Sequence, residues 1–558
     1  MPRKSLWNDI KKKYKIYSDK KFNEIKKNYE TPEEFENQVL NNTYFMLIIY
    51  LEKNFKLADE LALQIKPELK KSVERCTYAC RDLLQKHELE GHTKINASIL
   101  ARLLHNSYPE LMEFILIAVE NPMFFYDKQN KIIALKTTYE NECRIANVIK
   151  ERINNPVNSK MEWEKYLEVG NIKLTKEQLS LLKEINEKSI VMLNGSAGTG
   201  KSETVNALIK MLEDNNFSYT LLAPTGIAAK RLRQVTNREA NTIHMHLACY
   251  NDIGDFLIID ECSMIGVNLL GLLFYYVPKK TKIVLICDEA QLASISCGNI
   301  VQDIIDSNIM PIVNLTKVFR YGIGGIATIT TDIRNGKPIT KNTNFDDYKF
   351  IQISSNPIKD VLDVYDKMIQ EYKEDEIMIL SPFNVRDSGT YAINSAIQNK
   401  YNNNPTFLSY KKQGTEIEFK VGDRIVNTEN NYHMPSSYGD ELAIMNGDIG
   451  TILSNTGHHT SVKFDNGIAY LELNDMYKML LANAISIHKS QGNQAKCVIV
   501  VIDKSHEFFL NRNIEYVAMS RAQEKLIVIG DIDTINNALT IQQEKSRETY
   551  LKKLLINQ

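Results

Sequence analysis

The sequence predicts an α/β fold: two parallel-sheet domains in tandem, a small β-barrel inserted in the second, and a mostly helical N-terminal region. Three observations predict it. From about Leu174, apolar and β-branched runs recur, each followed by a turn and a helical stretch. Strands alternating with helices build parallel sheets covered on both faces. A glycine-rich loop joins one of these strands to an amphipathic helix. Later the texture changes to short strands punctuated by glycines, the pattern of a small antiparallel barrel. At 558 residues the chain exceeds what one core serves, so several domains are expected.

Taken in order, residues 1–30 hold ten Lys/Arg against four Asp/Glu. Two readings stand for them: a solvated basic helix or flexible arm, and an arm that contacts phosphates. Residues 1–150 lack β-like alternation and read as mostly helical, with an accessory helical domain over 71–152. A polar stretch, Asn154–Lys160, marks a connector, set at 153–173. The first sheet domain, 174–335, takes its strands from Ile190–Leu193, Tyr219–Ala223, Phe256–Ile259, Lys282–Ile286 and Ile312–Leu315. The second, 336–407 and 482–558, takes Ile377–Leu380, Val498–Ile502 and Leu526–Ile529. The barrel insertion, 408–481, contains Phe419–Asn427, Ile449–Leu453, Ser461–Phe464 and Ala469–Leu473, separated by Gly422, Gly447, Gly450, Gly457 and Gly467.

Hydrophobic content of 43% and charged content of 25% describe an ordinary globular protein. No apolar run approaches the roughly 20 residues of a membrane span, and no secretory signal is visible at the start. A cytoplasmic location without a membrane partner is therefore expected. Eight cysteines without CxxC pairs point to free thiols in a reducing compartment. Cys76 and Cys80 share a helix face, where packing outweighs metal binding. The net charge of −1 neither requires nor excludes a nucleic acid, because local charge decides that.

The strongest signal is Gly195, Ser196, Ala197, Gly198, Thr199, Gly200, Lys201 and Ser202, which fits GxxxxGK[ST] between a strand and a helix. Glycines let backbone N–H groups turn around a phosphate, and the helix start adds positive potential. Lys201 neutralises the β- and γ-phosphates and Ser202 ligands Mg²⁺. Downstream, Phe256–Ile259 ends in Asp260 and Glu261, at the strand end where parallel sheets bind ligands. Asp260 would hold Mg²⁺, and Glu261 would orient and deprotonate the attacking water. Together these residues imply a nucleoside triphosphatase that uses Mg²⁺.

Ordered strings from Leu174 to Asp531 resemble the motifs of superfamily 1B helicases, closest to the RecD type. Leu174-Thr-Lys-Glu-Gln178 resembles the adenine-reading motif, and Ala223–Lys230 and Thr242–His244 resemble motifs Ia and Ib. Cys287–Leu292 resembles motif III, Leu315–Arg320 motif IV, Ser486–Gly492 motif V, and Tyr516–Ala522 motif VI. The resemblance implies tandem RecA-like P-loop domains and assigns Gln178, Gln491 and Gly492 to ATP. It assigns Gln291 to sensing the γ-phosphate, and Arg320 and Arg521 to supplying guanidinium charge there. The strand-contact candidates are Pro224, Thr225, Lys230, Thr242, His244, Ser486, His488 and Ser490.

The family's upstream region carries helix-hairpin-helix units. Here Leu51-Glu-Lys-Asn54 stands where a glycine-containing turn belongs, so residues 1–70 are read as the basic arm and a degenerate hairpin. Motif III has Cys287 and Ala293, and motif V has Asn493 and Gln494, where the family usually differs. RecD-type proteins also carry a β-hairpin pin after motif Ib, but here only 245–255 separate His244 from Phe256. Such a hairpin reaches at best about 17 Å, so the pin is shortened or absent. The resemblance implies a 5′→3′ motor on single-stranded DNA or a forked duplex, in replication, recombination or repair, in a bacterial or phage-type setting. Two alternatives stand: an RNA-acting superfamily 1 helicase, and an ATPase subunit of a larger nuclease, recombination or defence complex with weak unwinding alone.

Overall fold

The computed structural model describes residues 3–557, apart from 170–171, 250, 320–323, 342–344, 438 and 543–545. The N-terminal region is helical, but it also holds a small antiparallel sheet in which Ile132–Leu135 pairs with both Ile95–Asn96 and Phe124–Asp127. One core runs from Trp7 to Leu135, so no boundary falls at residue 70. Tyr44 stacks on Phe55 and Tyr78, and Arg75 pairs bidentately with Asp59 at 2.8 and 2.9 Å and with Glu110 at 2.7 Å. The basic start is part of this core: Trp7, Ile10, Tyr14, Phe22 and Ile25 are buried. Lys11 pairs with Asp19, and Lys13 with Glu36. The basic helices thus pack their apolar faces on this core. At the expected hairpin turn, Glu52 adopts a left-handed φ of +54°.

Helix α1 (Lys136–Asn154) leads out of this region. Helix α2 (Lys176–Glu187) starts on a reciprocal Thr175–Gln178 cap. The first sheet consists of β1 (Ile190–Gly195), β2 (Tyr219–Ala223), β3 (Asn241–Thr242), β4 (Phe256–Ile259), β5 (Lys282–Cys287) and β6 (Ile312–Leu315). Its order is β6-β1-β5-β4-β2-β3, all parallel. Helices α3 (Lys201–Asp214) and α4 (Gly226–Thr236) follow β1 and β2.

Helix α5 (Gly325–Arg334) corrects the expected boundary at 335. Ile326, Ile329 and Ile333 lie in the core of the second sheet domain, so the chain changes domain between Leu315 and Gly325. The second sheet holds β7 (Tyr348–Gln352), β8 (Ile377–Ser381), β9 (Ala484–Ser486), β10 (Ala495–Ile502) and β11 (Ala522–Gly530). Its order is β7-β11-β10-β8-β9, again parallel. Together the two sheets form the tandem RecA-like α/β architecture. Helix α6 (Arg512–Met519) precedes β11. The inserted unit is a five-stranded antiparallel sheet with two separate hairpins, Thr406–Lys412 against Thr415–Lys420 and Asn431–Pro435 against Glu441–Ile444.

The C-terminus brings a second correction. Helix α7 (Leu551–Ile556) leaves the second domain and packs Leu551 and Leu555 into the first domain's core. Glu142 Oε1 on α1 accepts the N–H groups of Tyr550 and Leu551 at 3.0 and 3.1 Å. Thr93 N–H donates to Glu548 O at 2.8 Å, and Arg547 donates to Ser294 O and Gly298 O at 2.8 Å each. The tail thus joins the N-terminal region to the first sheet domain. All eight cysteines are free, with Cys76 and Cys80 buried in the N-terminal core. Among the described residues no helix is long and apolar enough to cross a membrane.

Candidate nucleotide site and strand face

Strand β1 is buried along its whole length and delivers the loop 196–200 to the sheet's C-terminal edge. Gly198 and Gly200 take φ of +81° and +83°, which glycine adopts without a Cβ penalty. A Cβ on Gly200 would also lie 2.4 Å from Gln178 Nε2. Helix α3 starts directly after the loop with no side-chain cap on its first amides, which suits an anion. Lys201 Nζ donates to Gly195 O at 2.5 Å and lies 3.9 Å from Asp288 Oδ2. Buried Thr199 closes the turn through its hydroxyl, which donates to Ser196 O at 2.8 Å. The loop and Ser202 line a cleft of about 450 Å³ that also exposes Gln178, Asp260, Glu261, Gln291 and Arg521. That volume lies within the usual range for small-molecule sites.

β4 ends where Asp260 and Glu261 enter this cleft. The Asp260 carboxylate accepts the Glu261 N–H at 2.8 Å, and Glu261 holds a left-handed φ of +51°. Backbone strain of this kind concentrates at functional sites. Burial and the neighbouring Glu261 push the Asp260 carboxyl up to about 6, against the pull of Lys201. Two crowded acids lining the same cleft as Ser202 suit a divalent cation. Gln291 is buried on the cleft, and its Oε1 has no hydrogen-bond partner among the described residues. Gln178 uses its own amide locally: Oε1 accepts Thr175 N–H at 2.9 Å, and Nε2 donates to Gly200 O at 3.3 Å.

The second domain reaches the same cleft. Arg521 is buried at the end of α6, its Nε donating to Val517 O at 3.0 Å and Nη1 to Asn493 O at 3.4 Å. Arg320 lies outside the described residues. The residues that stitch the seam were missed from sequence. Tyr516 OH accepts the Ala197 N–H at 3.1 Å and donates to Asp288 Oδ2 at 2.9 Å, and Asn513 Nδ2 donates to Gln291 O at 3.1 Å. Tyr516 heads the same string as Arg521, and Asp288 sits in the string of Gln291. That proximity was the available signal. Gln494, not Gln491 or Gly492, lines the cleft. Gly492, at φ +83°, lies instead against Ile227 and Ala228, where a Cβ would come within 3.0 Å of Ile227 Cγ2. Gln491 is buried, with Nε2 unpartnered among the described residues.

The strand-contact candidates divide into two groups. Pro224 follows β2, and Thr225 Oγ1 caps α4 by accepting the Ala228 N–H at 3.2 Å. Lys230 pairs with Asp465 of the inserted unit at 2.7 Å. His244 and His488 are exposed, and Ser486 is half-buried at the end of β9. Two candidates need correction. Ser490 is wholly buried and its hydroxyl donates to Ile487 O at 2.7 Å, while Thr242 is buried and its hydroxyl accepts Met245 N–H at 3.1 Å. Both are buried and tied into local turns. Beyond His244, a helix runs Ile243–Ala248 and no strand is found before Phe256 among the described residues.

The AAA domain family model matches residues 173–356, and the UvrD-like helicase C-terminal domain model matches 481–529. The chain is similar to the ATP-dependent RecD2 DNA helicase of Deinococcus radiodurans, at 27% identity over 394 residues, covering 68% of this chain and 52% of the relative. It is also similar to the RecBCD enzyme subunit RecD of Mycolicibacterium smegmatis, at 25% identity over 437 residues, 68% of this chain and 74% of the relative. The chain therefore spans about half the length of the RecD2 relative. Among solved structures, Bacteroides Pif1 bound to ssDNA matches at 20% identity and TM-score 0.42, over 65% of this chain and 94% of that one.

Proposed function

We infer that this chain, a RecD-like superfamily 1B protein, is an ATP-dependent DNA helicase that hydrolyses ATP to move along single-stranded DNA. One observation carries the reading: Lys201 on the first sheet and Arg521 on the second open onto a single cleft. A nucleotide held there meets half of its reaction centre on each domain. Lys201 and the loop amides hold the phosphates, Glu261 aligns and deprotonates the water, and Gln291 contacts the γ-phosphate. Arg521, with Arg320, supplies charge as the transition state forms. Ser202 and Asp260 would hold Mg²⁺, which supplies charge neutralisation to the phosphates when bound.

Loss of the γ-phosphate weakens the tie between the sheets, and the cleft opens. Alternating grip by half-buried Pro224 and Lys230 and exposed His244 and His488 turns that cycle into steps. Movement 5′→3′ follows the family resemblance. Nuclease or recombination subunits fit as protein partners, since relatives are named as RecBCD subunits. The test is ATPase activity of wild type and Lys201→Ala, with and without single-stranded DNA and with RNA as control. Stimulation by DNA in wild type, abolished in Lys201→Ala, is expected. A rate indifferent to DNA would overturn the reading.

A further inference from the structure

Strands β9, β8 and β10 lie side by side and parallel, so the loops that follow them leave from one edge of the second sheet. In open parallel sheets that edge binds ligands. The loop after β9 carries the exposed His488. The loops after β8 and β10 are clamped to each other. Arg386 Nη1 donates to Ser505 O at 2.7 Å, and the Ser388 hydroxyl donates to Asp503 and lies 3.2 Å from His506 Nε2. His506 is fully buried, and its Nδ1 accepts the Asp503 N–H at 3.1 Å. The ring proton therefore sits on Nε2, facing Ser388. In that tautomer the imidazole has no lone pair to take a proton from the serine, so the Ser-His-Asp cluster braces the loops and is not a nucleophile. Arg386 itself holds a left-handed φ of +79°, a conformation that surrounding contacts must enforce.

What the brace presents is aromatic. Phe508 is 93% exposed and Phe509 57%. Phe509 meets the Phe383 ring edge-on at 4.4 Å, and the Arg386 guanidinium lies 5.6 Å from the Phe383 centroid. Arg386 and Lys504 are exposed on the same two loops. The same loops also expose Asp387 and Glu507, so the charges there balance, and it is the flat apolar face held out to water, on the sheet edge that also carries His488, that matches an unpaired base. Such sites stack bases with little regard to sequence.

We propose that Phe508 is a stacking platform for an unpaired base of the tracked strand. The proposal rests on the single-strand motor reading and adds a contact on the second domain that phosphate-gripping loops alone would not supply. The test compares the affinity of wild type, Phe508→Ala and Phe508→Trp for fluorescent oligodeoxythymidine and for an abasic strand of equal length at fixed salt. Phe508→Ala is expected to bind oligodeoxythymidine roughly 5- to 100-fold more weakly, and Phe508→Trp to bind like wild type. On the abasic strand the difference between wild type and Phe508→Ala should vanish. The Phe508→Trp indole should also lose fluorescence when the thymidine strand binds and keep it with the abasic one. Equal affinities of wild type and Phe508→Ala for oligodeoxythymidine would overturn the platform and leave the motor intact, assigning the exposed ring to another partner. A difference that persists on abasic DNA would also overturn it. A wild type without affinity for single strands would remove the motor reading and the platform together.

Discussion

At the level of single side chains, Tyr516 holds the seam with one hydroxyl that accepts from Ala197 and donates to Asp288. Tyr516→Phe keeps the buried ring and removes only those two bonds. A bond to a buried carboxylate contributes about 1–3 kcal/mol. The seam should therefore open more often, seen as faster hydrogen exchange across 195–202 in the nucleotide-free protein. Unchanged exchange there would mean that the two sheets are held together elsewhere. Asp260 and Glu261 were legible because an apolar strand ending in two acids is a local pattern. Tyr516 and Asp288 were quoted inside motifs but given no role, because their bond joins residues that only folding brings together. The same limit applied to Ser490 and Thr242, whose burial depends on neighbours that a short string does not reveal.

Between elements, the turn at Glu52 carries strain that its sequence announces. A left-handed φ of +54° costs an L-residue about 1–2 kcal/mol, and glycine would give part of that back through the freedom of its unfolded chain. Glu52→Gly should stabilise the turn by roughly 0.5–1 kcal/mol, read as slower hydrogen exchange across 46–57. Its exposed pair with Lys21, at 3.6 Å, contributes little. A faster exchange would show that the side chain matters more than the backbone. Helix α7 raises a different question, since its first amides bond to a carboxyl buried on α1. Burial, reinforced by Asp303, pushes Glu142 up to about 8 despite its bond from Thr93. Unfolded, it titrates near the ordinary ~4.3. With the folded value raised, the stabilisation is complete below ~4.3 and lost as pH rises towards 8. Thermal melting should fall between pH 5.5 and 8.5 in wild type and fall less in Glu142→Gln, whose amide oxygen can accept the same N–H groups. Some slope should remain from Asp303, which burial pushes up to about 7. Identical slopes would exclude Glu142 as the source.

For the molecule as a whole, the sheets and the phosphate loop were readable because each strand, turn and helix follows its neighbour in the chain. The tail was not, because Thr93 meets Glu548 across most of the sequence and nothing local in 546–557 says where it docks. The short link after motif Ib was legible by its length, and its described residues hold one short helix, Ile243–Ala248, and no strand before Phe256. The lone chain should accordingly travel along single strands faster than it separates a forked duplex, measured by stopped-flow with both substrates. Rapid unwinding without a partner would show that another surface splits the pairs. The docking of α7 has a mechanical consequence. The polypeptide enters the second domain between Leu315 and Gly325 and returns between Ile541 and Ser546, so that domain is inserted in a chain anchored at both ends to the first. A body held by two tethers can pivot about the line through them but cannot drift away. Freeing the tail from the N-terminal region and the first domain, where Glu548, Arg547 and α7 hold it, would leave the residues of the cleft in place yet turn a hinged stroke into a loose swing.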